Sequence, residues 1–268
     1  MSEDALGDRM KLYEMAEAGR KFMPRLPVIA RIDGRSFSAF TKGLNRPYNQ
    51  RMSDLMTDTT MYLCRETEAR CGYTQSDEIT LAWIGEMIFN GRIQKLTSVL
   101  ASMASAYFNS QVAERLGKEY AAKLPCFDCR VWNVPDIVEG TNVFLWREMD
   151  ATKNSISMAA RHYYSHNELH NKTGNEMQEM LWQKGVNWND YPAFFKRGTY
   201  IQRKTTVRKF TVAETSVLPP QHEYFRNPNL LVERQDYMKL ELPPLVKVQN
   251  RPNVIFHGND PVLIEENE

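Results

Sequence analysis

The amino-acid sequence predicts a fold of the α/β or α+β class, with a sheet covered by helices on one face. Short apolar runs alternate with longer segments in which apolar residues recur every three or four positions, so strands and amphipathic helices follow one another. The chain has 268 residues, of which 42% are hydrophobic and 25% are charged. It is therefore long enough to bury a sizeable core and has an ordinary globular composition.

The predicted elements follow from these patterns. An N-terminal helix at 4–20 precedes a buried strand at 27–33, whose apolar run stops at Asp33. Further along we predict a helix at 49–70 ended by Cys71 and Gly72, a turn-like segment at 72–76, a strand at 78–84, a helix at 92–116, a strand at 126–134, two helical stretches within 136–185 and a basic β-like segment at 200–212. Beyond residue 212 the chain is rich in proline, and we expect it to be irregular.

The bulk properties exclude several classes of protein. The net charge is only +1, so no global field indicates a nucleic-acid partner. No run approaches the roughly 18 apolar residues that a membrane span needs, and the acidic N-terminus does not resemble a signal peptide. Four cysteines do not make a disulfide framework in a chain of this size. We expect a reduced, cytoplasmic protein without a membrane partner.

Two adjacent acids, Asp77 and Glu78, stand where the strand at 78–84 begins. If this strand and the one at 27–33 are antiparallel neighbours, Asp33 and Asp77 lie side by side. Two carboxylates repel each other unless a cation or a proton lies between them, and Mg²⁺ prefers carboxylate and carbonyl oxygens. Gly34 allows its backbone carbonyl to approach an ion closely. The residues alone leave open a second interpretation, in which strand-end acids face solvent.

Two motifs carry a resemblance to a known family. "RIDGRSF" at 31–37 and "GYTQSDE" at 72–78 resemble the signature of the tRNA-His guanylyltransferase family, the 3′–5′ nucleotide polymerases. Further matches, in order, are "LGDRMKLYE" at 6–14, Arg92 and Lys95 at the start of the helix at 92–116, "FDCRV" at 127–131, an Asp-led helix at Asp150, and "GVNWNDYPAFFKRGT" at 185–199. Their shared order and spacing make the match specific over roughly residues 5 to 205.

The resemblance implies an α+β fold built on a polymerase/cyclase palm-like (ferredoxin-like) antiparallel sheet covered by helices, with a β-ribbon and an irregular C-terminal extension. It implies a single catalytic domain over 1–268, with a palm-like core at about 5–135 and a helical and β-ribbon part at about 136–268. A homotetramer is the assembly expected from the family.

The implied activity is Mg²⁺-dependent addition of nucleotides in the 3′–5′ direction to the 5′ end of tRNA, after ATP or another nucleoside triphosphate activates the 5′-phosphate. By the resemblance, Asp33, Asp77 and the carbonyl of Gly34 bind two Mg²⁺ ions, and Glu78 is a further catalytic residue. Glu78 should point away from Asp77, since side chains alternate along a strand. The residues expected to bind the ATP and GTP substrates are Arg31, Gly34, Arg35, Ser36, Phe37, Ser76, Arg92 and Lys95.

Departures from the eukaryotic pattern bear on the RNA substrate. Eukaryotic members carry His-Ile-Asn-Asn where this chain has Thr152-Lys153-Asn154-Ser155, so it resembles the guanylyltransferase-like branch associated with repair of 5′-truncated tRNAs. The expected RNA-binding residues are Asn154, Lys196, Arg197, Arg203, Lys204 and Arg208. The basic segment that holds the last three has two open interpretations, phosphate binding or protection of an exposed edge strand.

Two other functions remain as alternatives. A palm-type nucleotidyl or dinucleotide cyclase would carry a Gly-Gly-Asp/Glu-Glu-Phe turn, which is absent from the sequence. A non-catalytic RNA-binding module would keep the fold without metal-dependent activity.

Two apparent metal motifs are better explained structurally. Cys126 and Cys129 lie on a predicted strand, where residues three apart face opposite sides and cannot form a zinc knuckle. The histidines at 162, 166 and 170 are interrupted by a predicted capping box in which Ser165 begins a helix and Glu168 completes the cap.

Overall fold

The computed structural model describes residues 5–85 and 88–265. Residue 4, where the predicted N-terminal helix begins, lies outside them. Within the described residues, six strands form an antiparallel sheet in the order β4-β1-β3-β2-β5-β6. The strands are β1 (Val28–Gly34), β2 (Cys71–Gln75), β3 (Glu78–Trp83), β4 (Phe127–Asn133), β5 (Thr199–Lys209) and β6 (Leu231–Leu240).

The helices connect and cover these strands. They are α1 (Ala5–Ala18), α2 (Phe37–Phe40), α3 (Gln50–Thr67), α4 (Ile93–Arg115), α5 (Lys118–Ala121), α6 (Ile137–Tyr163), α7 (His166–Leu169), α8 (Gly174–Gln183), α9 (Ala193–Arg197), α10 (Val212–Thr215) and α11 (Arg251–His257), with short 3₁₀ turns at Ile88–Gly91, Trp188–Asp190, Glu223–Phe225 and Leu245–Lys247. Among the residues described, no helix is long and apolar enough to cross a membrane.

The first half of the chain forms a β-α-β-β-α-β unit of the ferredoxin-like type, from β1 through α3, β2, β3 and α4 to β4. Helices α3 and α4 pack on one face of the sheet, where Ile32, Leu55, Leu81 and Leu100 are completely buried. Strand alternation and the three-and-four spacing of the helices direct these side chains to one shared core. The predicted α+β class is confirmed.

Helices also cover the opposite face, so the expectation of a single covered face is wrong. Ile29 and Tyr73 on the sheet form a second core with Phe144 of α6 and Phe256 of α11. Strand β1 is therefore buried on both sides along most of its length. A strand with apolar residues at both odd and even positions requires such double coverage.

Residues 71–75 form strand β2, although residues 72–76 were predicted to be turn-like. Helix α3 ends at Thr67 and not at Gly72; its C-cap residue, Glu68, adopts the left-handed conformation (φ 52°). Gly72 is needed in the strand for a different reason, because a Cβ there would lie 2.4 Å from Cys64 Sγ. The glycine thus permits close packing of β2 on α3.

Asp150 lies within the long helix α6 and does not lead a helix, contrary to the expectation. The acid at the helix start is Asp136, whose side chain accepts a hydrogen bond from the Glu139 N–H at 2.8 Å. The predicted capping box is confirmed, since the Ser165 hydroxyl and the Glu168 carboxylate cap the start of α7 reciprocally.

The segment after residue 212 is more regular than predicted. Strand β6 pairs with β5 from Leu231 to Leu240, and α11 follows it. Strand β5 pairs with β2 only from Thr199 to Gln202 and with β6 alone from Arg203 to Lys209, so both interpretations of the basic segment stay open. Strand β6 is half-exposed along its length, so its sequence lacks the apolar run that would have predicted it.

Candidate active site

The end of β1 meets the turn that joins β2 to β3. Asp33 lies directly opposite Glu78 in the antiparallel register, and the Gly34 N–H donates a hydrogen bond to the Asp77 carbonyl at 3.0 Å. The predicted antiparallel pairing of these strands is confirmed. Asp77 lies in the turn, immediately before Glu78 in the chain. The two segments therefore bring three acids, Asp33, Asp77 and Glu78, to one end of the sheet.

The backbone around these acids is tightly constrained. Ser36 and Ser76 both have φ of 56°, in the left-handed region. A Cβ on Gly34 would lie 2.4 Å from the ring of Phe37. Phe37 is buried, and the centroid of its ring lies 5.0 Å from the centroid of the Phe127 ring. Any side chain at position 34 would therefore displace a core aromatic ring.

The electrostatic environment of Asp77 disfavours its charged form. Burial and then the negative charge of Asp33 raise the pKa of Asp77, while a hydrogen bond from the Ser76 side chain acts in the opposite direction. The two carboxylates thus repel each other in a partly desolvated environment.

Glu78 has a different environment from Asp77. Its carboxylate accepts a hydrogen bond from Arg147 Nε of α6 at 2.5 Å, and Arg31 Nε lies 3.9 Å away. Arg147 also contacts Asp150 at 3.1 Å. Burial raises the pKa of Glu78, and Arg147 counteracts the shift by stabilising the carboxylate. Since residues paired across strands share a face, Glu78 lies on the same face as Asp33.

A cavity of about 490 Å³ opens beside Asp77. Its walls come from the loop after β1, the β2–β3 turn, the start of α3, and aromatic residues before β5. Five predicted site residues line it: Gly34, Ser36, Phe37, Ser76 and Asp77. Other lining residues include Asn45, Arg46, Tyr48, Asn49, Met158 and Phe194. Aromatic walls with a few polar groups are typical of small-molecule sites.

The remaining predicted nucleotide-binding residues lie outside the lining of this cavity. Arg31 is engaged near Glu78, and the exposed Arg35 bonds through its backbone N–H to the Cys126 carbonyl at 2.9 Å. Arg92 and Lys95 are exposed at the start of α4. The structure therefore brings Arg31 to the carboxylates, whereas Arg35, Arg92 and Lys95 have no recorded ion pair with them among the described residues.

Comparisons with known proteins identify the family. A family model described as tRNA-His guanylyltransferase matches residues 7–135. A solved bacterial tRNA(His) guanylyltransferase-like protein in complex with ATP is 40% identical, with 74% of this chain and 88% of that chain covered and a TM-score of 0.69. The chain belongs to the tRNA(His) guanylyltransferase family.

Two further members of the family agree with this assignment. A bacterial tRNA(His) guanylyltransferase-like protein solved in complex with GTP is 33% identical, covering 91% of this chain and 95% of that chain with a TM-score of 0.69. The tRNA(His) guanylyltransferase of Saccharomyces cerevisiae is 25% identical over 71% of this chain and 88% of that protein. The protein is accordingly a nucleotidyltransferase with the palm-like fold of its family, as the resemblance implied.

The predicted RNA-binding residues of this family member lie on helices α6 and α9 and on strand β5. Asn154 donates to Asp150 at 3.3 Å on α6. Lys196 bonds to the Asn189 carbonyl and lies over the Trp188 ring. Arg197 is at the end of α9, where its carbonyl accepts the Tyr73 hydroxyl at 2.8 Å.

The basic residues of β5 lie on the ribbon that this strand forms with β6. Lys204 pairs with Asp260 at 2.8 Å, and Arg208 pairs with Glu214 at 2.8 Å. Arg203 precedes both of these residues on β5 and follows the buried part of the strand, which ends at Gln202. Carboxylates of the same chain therefore compete with any phosphate for two of the three cations.

Sequence inspection missed the contribution of α6 to the site. Arg147 contacts Glu78 across 69 positions of the chain, and no local pattern distinguishes it from other helix cations. Asn49, which lines the cavity, was recognisable from the sequence only as a helix N-cap. It does cap α3, since its side chain accepts a hydrogen bond from the Met52 N–H.

Proposed function

We propose that this enzyme is a Mg²⁺-dependent nucleotidyltransferase that adds nucleotides in the 3′–5′ direction to the 5′ end of tRNA. The observation that carries the proposal is the meeting of Asp33, Gly34 and Asp77 beside a nucleotide-sized cavity. ATP or another triphosphate would activate the 5′-phosphate, and GTP would be added. The solved relatives in complex with ATP and GTP support these substrates.

The carboxylates and the glycine carbonyl fit the binding of Mg²⁺. Hard oxygen ligands are what this ion prefers. A cation would also relieve the repulsion by which Asp33 raises the pKa of Asp77. Asp33, Asp77 and the carbonyl of Gly34 would hold two Mg²⁺ ions, which would supply charge neutralisation for phosphoryl transfer and activation of the attacking hydroxyl.

The chain's own residues bind and orient the reactants. The cavity binds a nucleoside triphosphate, with its phosphates directed toward Asp77. Ser76 orients the Asp77 carboxylate, and Arg147 holds Glu78 beside Asp33. Arg92 and Lys95 remain the predicted triphosphate ligands at the start of α4, where the helix dipole favours anions. Positioning and electrostatics provide most of the catalysis in such transfers.

The RNA substrate, assembly and location are further predictions. Thr152-Lys153-Asn154-Ser155 in place of the eukaryotic motif favours repair of 5′-truncated tRNA over strict addition of one guanosine. A homotetramer and a cytoplasmic location are also predicted.

A labelled extension assay tests the function. The protein is incubated with Mg²⁺, ATP, GTP and a 5′-monophosphorylated tRNA that lacks its first nucleotide, and a parallel reaction omits RNA. Growth of the RNA at its 5′ end supports the proposal. Cyclic nucleotides in the reaction without RNA, or no reaction with either truncated tRNA or full-length tRNA-His, would contradict it.

A further inference from the structure

A half-exposed tryptophan lies beside the carboxylates, and the proposed mechanism does not use it. Trp146 of α6 is 50% exposed. The guanidinium of Arg147 lies 4.6 Å from its ring centroid and that of Arg31 lies 5.6 Å away. Both arginines also contact Glu78. Two cations therefore orient the indole next to the catalytic end of the sheet while its surface stays accessible.

The adjoining edge strand exposes charged residues on the same face. In the β1–β4 register, Arg130 lies opposite Arg31, and Asp128 lies opposite Asp33. Both β4 residues are exposed. Like charges directly opposite each other on a sheet are destabilising. Arg130 makes no ion pair with any residue in the described ranges, so its charge is available to an anion.

Trp146 is separate from the nucleotide cavity. Met158 of the same helix lines that cavity, and the twelve intervening steps correspond to about 18 Å along the helix axis. Asp77 lines the cavity, whereas its neighbour Glu78 bonds to the residue after Trp146. The carboxylates thus lie between the two places, as transfer between two substrates requires.

A small second cavity adjoins the indole. It has a volume of about 220 Å³ and is lined by Asn142, Leu145, Trp146, Met149, Asp150 and Lys153. Its walls combine apolar groups with one amide, one carboxylate and one lysine. Aromatic platforms flanked by cations are typical of sites for single-stranded nucleic acid.

We propose that Trp146 is the stacking platform for the terminal nucleotide of the RNA 5′ end, with Arg130 and Arg31 on its phosphate. This inference rests on the proposed function, because it assigns the site of that reaction's RNA substrate. Stacking tolerates any base, which suits an enzyme that accepts several truncated ends. The 5′-phosphate would lie over β1 and β4, next to Asp33.

Substitution of the platform tests the inference. Trp146→Ala is compared with Trp182→Ala, which removes a tryptophan that is 64% exposed on α8. Binding of truncated 5′-monophosphorylated tRNA is measured by fluorescence anisotropy without nucleotides, and KM is measured separately for RNA and GTP. We expect Trp146→Ala to raise the RNA Kd and KM about 10-fold or more, with the KM for GTP unchanged. Trp146→Phe should restore most RNA affinity, and Trp182→Ala should have no effect.

Arg130→Gln provides an independent variant at an exposed position. It should raise the RNA Kd for 5′-monophosphorylated tRNA and have little effect on RNA with a 5′-hydroxyl. The inference is wrong if wild type extends RNA and Trp146→Ala leaves the RNA Kd unchanged, or if that variant raises only the KM for GTP. Failure of wild type to extend any RNA would instead refute the proposed function, which distinguishes the two.

Discussion

The two faces of the central sheet differ sharply at the end where the acids lie. On the face covered by α3 and α4, β1 and β3 present Ile32, Ile79 and other apolar side chains. On the face covered by α6, the same strands present Arg31, Asp33 and Glu78. Strand alternation separates these sets by one residue. Neighbouring positions on one strand therefore contribute apolar packing on one face and the proposed catalytic acids on the other.

The α6 face is also held together differently. Buried Glu148 accepts hydrogen bonds from the Tyr200 hydroxyl at 2.9 Å and the Leu245 N–H at 2.7 Å. Together with the Arg147–Glu78 pair, these contacts connect α6 to the sheet and to the C-terminal segment. Because buried polar groups are costly when unpaired, this face depends on matched partners rather than on apolar volume alone.

The largest stability loss should come from the apolar face. Leu100→Ala removes a completely buried side chain of α4, and we expect the free energy of unfolding to fall by about 4 kcal/mol. Denaturant unfolding measures the loss. Leu6→Ala, at a leucine that is 60% exposed, should change stability by less than about 0.5 kcal/mol. If extension per folded molecule also collapses in Leu100→Ala, the separation of the two faces is wrong.

Arg147→Ala should affect both stability and activity. It leaves Glu78 buried without its main cation, and we expect a stability loss of about 3 kcal/mol, together with slower extension. Arg115→Ala breaks a more exposed pair with Asp58 (2.6 Å, side chains 38% and 41% exposed), so its stability loss should stay below about 1 kcal/mol. If the two variants lost equal stability, the ion pair on the α6 face would contribute no more to stability than an exposed ion pair.

A smaller effect is expected in the pH dependence of stability. Burial raises the pKa of Glu148 above its ordinary value of 4.5. The folded state therefore retains this proton to higher pH than the unfolded state, and stability from this carboxyl is lost as pH rises from about 4.5 through the folded pKa. Relative to wild type, Glu148→Gln should gain stability over that window. Chemical denaturation at a series of pH values measures the difference.

Glu176 provides the matched control, with the opposite sign. Hydrogen bonds from Thr173 lower the pKa of Glu176 to about 2. The contribution of this carboxylate to stability is therefore fully present above pH 4.5 and is lost as the pH falls from 4.5 to about 2. Glu176→Gln should therefore lose stability relative to wild type as pH rises from 2 to 4.5. Parallel pH trends for the two glutamine variants would contradict the assigned environments.

The sequence predicted elements with a strong local pattern. Strand β1, helices α3 and α4 and the meeting of Asp33 with the β2–β3 turn followed from apolar periodicity and from one pairing assumption. Strand β2 was missed because its glycine and polar residues resemble a turn, and only its neighbours β3 and β5 make it a strand. The Arg147–Glu78 pair was not predictable, since a helix cation has many available partners before the fold is known.

Extension of truncated tRNA by Asp77→Ala, beside wild type and Asp58→Asn, tests most directly whether catalysis depends on the acids at the end of the sheet. Asp58 is a carboxylate on α3 whose partner is Arg115, and its loss should leave extension near the wild-type rate. If Asp77 binds metal as proposed, its loss should reduce the rate of extension at least about 10³-fold, while the variant stays folded and still binds RNA. Extension by Asp77→Ala at a rate close to that of wild type would contradict the assignment of catalysis to these acids.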